Sequence, residues 1–158
     1  MAIYFYTARD EYGCFSNFSP HGIQISGRYW TTVEHYFQAQ KFADVAHQER
    51  IATARTPKDA KSLGWDRKVP IRPDWDRVKD AVMLDAVRQK FQTHEAIRQI
   101  LLATGDEQLV ENAPSDYYWG CGADGTGENR LGKILMQVRS ELRSIDGDAE
   151  QIVGPERR

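Results

Sequence analysis

Glu34, Gln38 and Lys41 recur at i, i+4 and i+7 within the stretch W-T-T-V-E-H-Y-F-Q-A-Q-K-F, Trp30 to Phe42. If this stretch is helical, one face carries a carboxylate, an amide and an ammonium. The carboxylate and the ammonium then lie two turns apart, roughly 10 Å along the axis. A small ligand fits between them. A carboxyl gives or takes protons, and a desolvated amine attacks electrophilic carbon. Trp30, Tyr36, Phe37 and Phe42 add aromatic surface. Glu34 also has a competing role, because Thr31-x-x-Glu34 fits a capping box in which the glutamate satisfies a backbone N–H. Spacing alone does not choose between the two. His35 points about 100° away from Glu34 around the helix and reads as a structural hydrogen-bonder.

A second set of chemistry-bearing residues lies far downstream. The run D-Y-Y-W-G-C-G-A-D-G-T-G-E-N-R-L-G-K-I, Asp116 to Ile134, holds Gly120, Gly122, Gly125 and Gly127. Glycine permits positive φ and close backbone approach, so exposed N–H groups are expected to form an anion nest beside the following helix start. Gly127 to Lys133 matches G-x-x-x-x-G-K. Ile134 stands where a P-loop needs Ser or Thr for magnesium, however, and no long buried strand precedes the run, which argues against a nucleotide triphosphatase. With Trp119, Asn129 and Arg130 at hand, the loop is expected to contact phosphate or ribose, a plain flexible turn being the alternative. Arg67, Lys68 and Arg72 form a basic loop before Trp75. Guanidinium forks bind phosphate well, although many such residues are only surface charges. In Phe15-Ser16-Asn17-Phe18, Ser16 has no His and Asp partners at readable spacing, so no hydrolase triad is indicated. Ser16 and Asn17 are expected to donate hydrogen bonds to a ligand, with Phe15 and Phe18 as anchors. His94-Glu95 begins like H-E-x-x-H, but Arg98 replaces the second His, and no metal site is expected.

These groups need a scaffold. The 158 residues fit one domain, and a hydrophobic content of 41% supplies a core. A net charge of −2 and a pI near 6.1 argue against a bulk electrostatic grip on nucleic acid. Cys14 and Cys121 are far apart in a chain with an adequate core, so free thiols are expected rather than a disulfide scaffold, and neither has a readable role. The start M-A-I-Y-F-Y lacks the basic and apolar regions of a secretory signal. No apolar run approaches the ~18 residues of a membrane helix. A soluble, cytoplasmic protein without a membrane partner is expected.

Ile3 to Thr7 alternates like a strand, and Ile23–Ile25 with Arg28–Trp30 around Ser26-Gly27 reads as a hairpin. Thr31 or Thr32 caps the helix bearing Glu34. Further helices are expected at about 44–54, from Pro57 to Gly64 behind Thr56, at 75–92 and at 95–104, with a short strand at 109–111. Leu131, Ile134, Leu135, Val138, Leu142 and Ile145 mark an amphipathic last helix. One domain is expected over 1–145, with a polar tail at 146–158 that frays. The fold class is α+β, a mostly helical single domain with a small antiparallel sheet near the N-terminus.

Taken together, these segments resemble the NADAR family. The resemblance rests on Phe5-Tyr6, on Phe15-Ser16-Asn17-Phe18, on E-H-Y-F-Q-A-Q-K-F, and on Asp66-Arg67 to Trp75. It rests also on Tyr118-Trp119-Gly120 through Gly127-x-Asn129-x-Leu131-Gly132, then Leu135-Met136. It runs from about residue 3 to 142 in the family's order. It implies a compact α+β fold and cleavage of N-glycosidic bonds without a metal or redox cofactor. Two substrate types follow from it: ADP-ribose attached to guanine, as left on nucleic acid, and the phosphorylated ribosylamino-pyrimidine of riboflavin synthesis. It makes Glu34 the acid/base residue. Lys41 is then either an electrostatic anchor for ribose or phosphate, or a Schiff-base nucleophile. Substrate contacts are expected from Ser16, Asn17, Trp30, Gln38, Trp65, Arg67, Trp119, Gly120, Gly125, Gly127 and Asn129. Cys121, where relatives often carry a polar residue, and Trp65 leave the specificity open. A non-catalytic reader of ADP-ribose or a related nucleotide, with Glu34 as an acceptor in the same pocket, is the alternative of another class.

Overall fold

The computed structural model describes residues 1–153, with side chains described as far as Ile145. Two strand pairs and six α-helices make up the described chain, an α+β domain. Strands β2 (Ile23–Ile25) and β3 (Arg28–Trp30) form the expected antiparallel hairpin, with Ile23 opposite Trp30 and Ile25 opposite Arg28. Ser26 at φ 53° and Gly27 at φ 76° supply the two left-handed positions that a tight hairpin turn needs. The other pair differs. Strand β1 (Ala2–Phe5) runs parallel to β4 (Gln108–Glu111), in register from Ala2–Gln108 to Phe5–Glu111. β4 thereby ends with Glu111 beside Phe5.

Helix α1 (Val33–Gln40) is the centre of the domain. Thr32 caps it, its side chain accepting from the His35 N–H. Every residue from Val33 to Ala39 is buried, because α1 packs against α2 (Val45–Ala52), α3 (Pro57–Gly64) and α4 (Trp75–Thr93). A surface helix hides one stripe and leaves the rest in water. This one is covered all round, so its polar residues lie inside the protein. Helix α3 starts as the sequence predicts, with Thr56 accepting from the Asp59 N–H and Pro57 in the first turn.

Helix α5 (Glu95–Ala103) returns the chain to β4, and α6 (Arg130–Val153) closes the fold against β4 and α4. The apolar face predicted for α6 is buried at Leu131, Ile134, Leu135, Val138 and Leu142. The helix continues past Ile145 to Val153 rather than ending at the expected domain edge, and 154–158 lie outside the described residues. Phe5, Phe15, Phe42, Phe91, Leu131 and Leu135 are each almost fully buried, and each such side chain contributes about 1.5–3 kcal/mol. That apolar mass offsets the cost of holding α1's polar face away from water. Among the described residues no helix is long and apolar enough to cross a membrane.

Candidate active site

The site is built outward from α1. The Glu34 N–H donates to the Asn17 carbonyl at 3.2 Å, and Thr32 rather than Thr31 caps the helix. The Thr31–Glu34 capping box therefore does not form, and the carboxyl is free for another use. One of its oxygens accepts from Gln38 Nε2 at 2.8 Å, one helical turn on. His35 is occupied structurally, as its direction on the helix suggests: its ring nitrogens bond Thr32 Oγ1 at 2.8 Å and the Ala54 carbonyl at 3.0 Å. Glu34 is only 6% exposed. Burial pushes its carboxyl above the ordinary carboxylate range; the Gln38 hydrogen bond and the Lys61 and Lys41 ammonium groups oppose this, and Asp116 adds to it.

Lys41 ends α1 and is as buried as Glu34. Its Nζ donates to the Gly64 carbonyl at 2.8 Å and stands 4.6 Å from the Trp65 ring centre. Its own carbonyl accepts from the Arg72 N–H at 2.8 Å, so the basic loop after α3 is fastened to the lysine at both ends. Burial lowers the ammonium pKa to about 8, with Glu34 opposing the fall and Arg67 adding to it. Gly64 makes this possible. A Cβ there would lie 2.0 Å from Gln38 Oε1, so only glycine lets α3 come this close to α1. Trp65 is exposed and carries the Arg67 guanidinium 5.1 Å from its ring centre. Together with Gly64, Asp66, Val69, Pro70 and Ile71 these residues line a cleft of about 200 Å³.

The glycine-rich loop closes the other side. Asp116 Oδ1 accepts from the N–H groups of Tyr118 and Trp119 at 3.0 and 2.8 Å. This turns the Trp119 ring edge-on to Phe37 of α1, with centres 5.3 Å apart. The loop is not the open anion nest that glycine content suggests. The N–H groups of Cys121, Gly125, Gly127, Glu128 and Asn129 all donate to carbonyls of Glu111 and of the loop itself. The glycines serve close packing instead: a Cβ on Gly127 would lie 2.4 Å from the Gly120 carbonyl oxygen, and one on Gly120 would lie 2.9 Å from that of Glu111. Gly125 is an exposed tip at φ 79°.

The expected contact residues thus divide. Glu34, Gln38, Lys41, Trp65, Arg67 and Trp119 converge around α1. Asn129, at φ 51°, uses its side chain on β4, accepting from the Glu111 N–H and donating to the Leu109 carbonyl, both at 2.9 Å. Trp30 is buried in the core, its ring edge-on to Tyr36 and under Arg28. Ser16 Oγ accepts from the Phe18 N–H, and Asn17 reaches Met83 Sδ with its amide while its carbonyl holds α1. Both Cys14 and Cys121 carry free thiols.

Three groups at the site lie outside the sequence reading. Asp116 shapes the Trp119 loop. Lys61, exposed on α3 with its Nζ 6.0 Å from the Phe18 ring centre, faces the Glu34 charge. Glu111 closes β4. Asp116 and Glu111 follow a tight turn and a strand, where no periodicity points to a site. Lys61 reads as an ordinary solvated helix lysine. What the arrangement offers is a buried carboxyl whose pKa burial raises and a buried amine whose pKa burial lowers to about 8.

The family model described as NADAR domain matches residues 4–143. The chain is 55% identical over 148 residues to an N-glycosidase of Nostoc punctiforme, covering 92% of this chain and 95% of that one. It is 47% identical over 140 residues to the N-glycosidase YbiA of Escherichia coli, covering 89% and 88%. The NMR structure of YbiA superposes with a TM-score of 0.85, over 92% of this chain and 86% of that one, at 46% identity. A riboflavin biosynthesis protein of Vibrio vulnificus is 43% identical over 141 residues, which is 89% of this chain but 38% of that protein.

Proposed function

The chain belongs to the NADAR family and is an N-glycosyl hydrolase, and we propose that it cleaves the bond between ribose C1′ and the amine nitrogen of a phosphorylated ribosylamino-pyrimidine. The observation that carries this reading is the pairing of a buried carboxyl, Glu34, with a buried amine, Lys41, on one helix face, the amine bonded to Gly64 at the edge of a cleft that Trp65 and Arg67 line. The cleft volume of about 200 Å³ is below the ~300–1,000 Å³ of sites that take drug-sized ligands. It suits one flat ring better than a dinucleotide-sized group. The riboflavin-named relative supports the same choice. ADP-ribose on guanine is the competing substrate, and the experiment below separates the two.

Breaking C1′–N leaves positive charge on the sugar and an electron pair on the nitrogen. The Glu34 carboxylate stabilises that charge and accepts a proton from the attacking water. Trp65 and Trp119 flank the pyrimidine, and Arg67 with Lys61 takes the phosphate. Lys41 adds a second route. With its pKa near 8, about a tenth of the amine is neutral one unit lower in pH. That amine attacks C1′ of the ring-opened sugar, expels the pyrimidine amine and leaves an iminium that water hydrolyses.

The test is a side-by-side incubation with the phosphoribosylamino-pyrimidine and with ADP-ribosylated guanosine, reading free base. Faster release from the pyrimidine is expected; release from guanosine alone transfers the substrate to the other class. Glu34→Gln should lose at least ~100-fold in kcat, the ordinary yield of a general acid/base, with an unchanged circular dichroism spectrum. Near wild-type turnover in that variant removes Glu34 from the chemistry.

A further inference from the structure

Helix α3 ends at a buried glycine, packed against α1 and α2. The last carbonyls of a helix have no partner within it and need donors from elsewhere. Two buried side chains of other elements supply them here. His47 of α2 donates its Nε2–H to the Leu63 carbonyl at 2.8 Å, and Lys41 Nζ donates to the next carbonyl, Gly64, also at 2.8 Å. The Leu63 carbonyl takes the Asp66 N–H as well, at 3.2 Å. His47 is fully buried, and its partners fix its tautomer. A carbonyl only accepts, so Nε2 carries the proton. The Arg50 guanidinium only donates, at 3.2 Å, so Nδ1 is bare. The imidazole also stands edge-on to Phe42, the residue after the lysine, with ring centres 4.5 Å apart. Its neighbour Gln48 donates Nε2–H to the Phe42 carbonyl at 2.5 Å. Helix α2 thus grips the chain on both sides of the Lys41–Gly64 bond.

We propose that His47 is a positioning residue for the hydrolysis: by holding the end of α3 against α2, it sets the Gly64 carbonyl in the place where that carbonyl aims the Lys41 amine. The proposal rests on the reading above, in which Lys41 acts on the sugar. A lysine ammonium sits on a flexible four-carbon stem, so its direction is set by its acceptor. That acceptor belongs to a residue with no side chain to lock it, and a Cβ at Gly64 would collide with Gln38 Oε1. The position of Gly64 must therefore be held through its neighbours. Peptide units are planar, and only two soft dihedrals separate the Leu63 carbonyl from the next one. A donor fixed on Leu63 thereby limits where the Gly64 oxygen points. Arg50 keeps the imidazole in the one tautomer that can donate there. His47 acts through the backbone and not on the reacting atoms.

The experiment compares His47→Gln with His47→Asn, which carry the same amide at different reach. Gln extends an N–H about as far as Nε2 does and should keep the Leu63 bond, whereas Asn is one methylene short. On the phosphoribosylamino-pyrimidine, His47→Asn should lose ~10–100-fold in kcat, the scale of a small misplacement at a reacting centre. KM should change little, because the cleft lining is intact, and His47→Gln should recover most of the loss. A second readout needs no substrate. In protein labelled with ¹³C at lysine Cε, the Lys41 signal is assigned by its loss in Lys41→Met. It should titrate near 8 in wild type and in His47→Gln, and higher in His47→Asn, as water reaches the released amine. A residue that only packs would shift stability without moving the Lys41 midpoint or separating kcat from KM. Equal kcat in the two variants, or a wild-type Lys41 midpoint in His47→Asn, overturns the proposal. So does a wild-type imidazole that ¹⁵N NMR shows protonated on Nδ1. If His47→Asn does not fold, Arg50→Met, at an exposed position, takes its place by removing the donor to Nδ1: a raised Lys41 midpoint supports the proposal and an unchanged one overturns it. Wild type inactive on both glycosides would instead sink the substrate reading and leave the Lys41 midpoints to decide this one.

Discussion

Two lysines are buried in this domain, and they do different work. Lys41 and Lys90 are 6% and 1% exposed, and each donates to one main-chain carbonyl, Gly64 at 2.8 Å and Ser16 at 3.0 Å. Burial lowers both, to about 8 and about 7. By desolvation alone Lys90 is the better candidate for a neutral amine. Its surroundings decide otherwise. Lys90 lies inside α4 against the Phe91 ring, beneath the Ser16–Asn17 turn, with Cys14 opposing the effect of burial. Lys41 has a carboxyl on its own helix, an indole over its ammonium and a cleft at its door. A perturbed amine marks a site only where a substrate can reach it. Lys90 is instead an anchor: it holds Ser16, the next residue's carbonyl holds the Glu34 N–H, and the first turn of α1 is fixed from below.

The largest expected effect separates the two directly. Lys41→Met should lower kcat by on the order of 10³-fold, as loss of a nucleophile does, and borohydride should trap a sugar adduct on wild type but not on the variant. Lys41→Met with normal turnover, together with no trapped adduct, would reduce Lys41 to an electrostatic role and erase the distinction from Lys90.

Lys90→Met should act on stability instead, with less than tenfold change in kcat. The sign follows from the lowered pKa. Between about pH 7, where folded Lys90 titrates, and 10.5, the unperturbed value, the unfolded chain binds a proton that the folded one does not. Stability contributed by this group therefore rises with pH across that window and is lost as pH falls through 7. The variant removes the dependence. Relative to wild type, Lys90→Met should be more stable at pH 6, where the buried charge is gone, than at pH 10, where only the Ser16 hydrogen bond is missing; that bond is worth about 1 kcal/mol. Thermal melts across pH 6–10 check this. A stability difference independent of pH would mean that Lys90 is ionised in the fold.

What the sequence revealed follows from how local each signal is. Caps and turns are local, so Thr56-Pro57, Ser26-Gly27 and the α6 apolar stripe were legible. The parallel pairing of β1 with β4 was not, because nothing near Ile3 records which distant strand will lie beside it. The Glu34–Gln38–Lys41 face was legible from i, i+4, i+7 spacing, yet its burial was not. An amphipathic pattern predicts a polar face turned to water, and α1 is enclosed because three helices surround it. Lys90 carried a readable sign, since it follows Met83, Ala86 and Val87 on the apolar face of α4 by seven, four and three positions. The glycine loop misled for a physical reason. Glycine permits both an open nest and close packing, and composition cannot tell them apart, whereas the internal bonds of Gly125 and Gly127 can.

The smallest expected effect tests the indole that distinguishes Lys41 from its counterpart. Trp65 is 55% exposed yet lies over both the Lys41 ammonium and the Arg67 guanidinium. A cation–π contact at a partly exposed ring is worth ~0.5–1 kcal/mol, so its loss alone changes affinity only a few-fold. The larger consequence is hydration. Trp65→Ala opens the Lys41 Nζ to water, removing part of the burial that holds its pKa near 8. The amine becomes harder to deprotonate, so the rise of kcat with pH that follows Lys41 deprotonation should move to higher pH, with KM rising by less than ~10-fold as the stacking face is lost. Trp65→Phe should keep most of the wild-type profile. An unmoved limb in Trp65→Ala would mean that the Gly64 carbonyl and the backbone around it, rather than the indole, keep Lys41 dry, and the open cleft would then not be what makes this lysine different from Lys90.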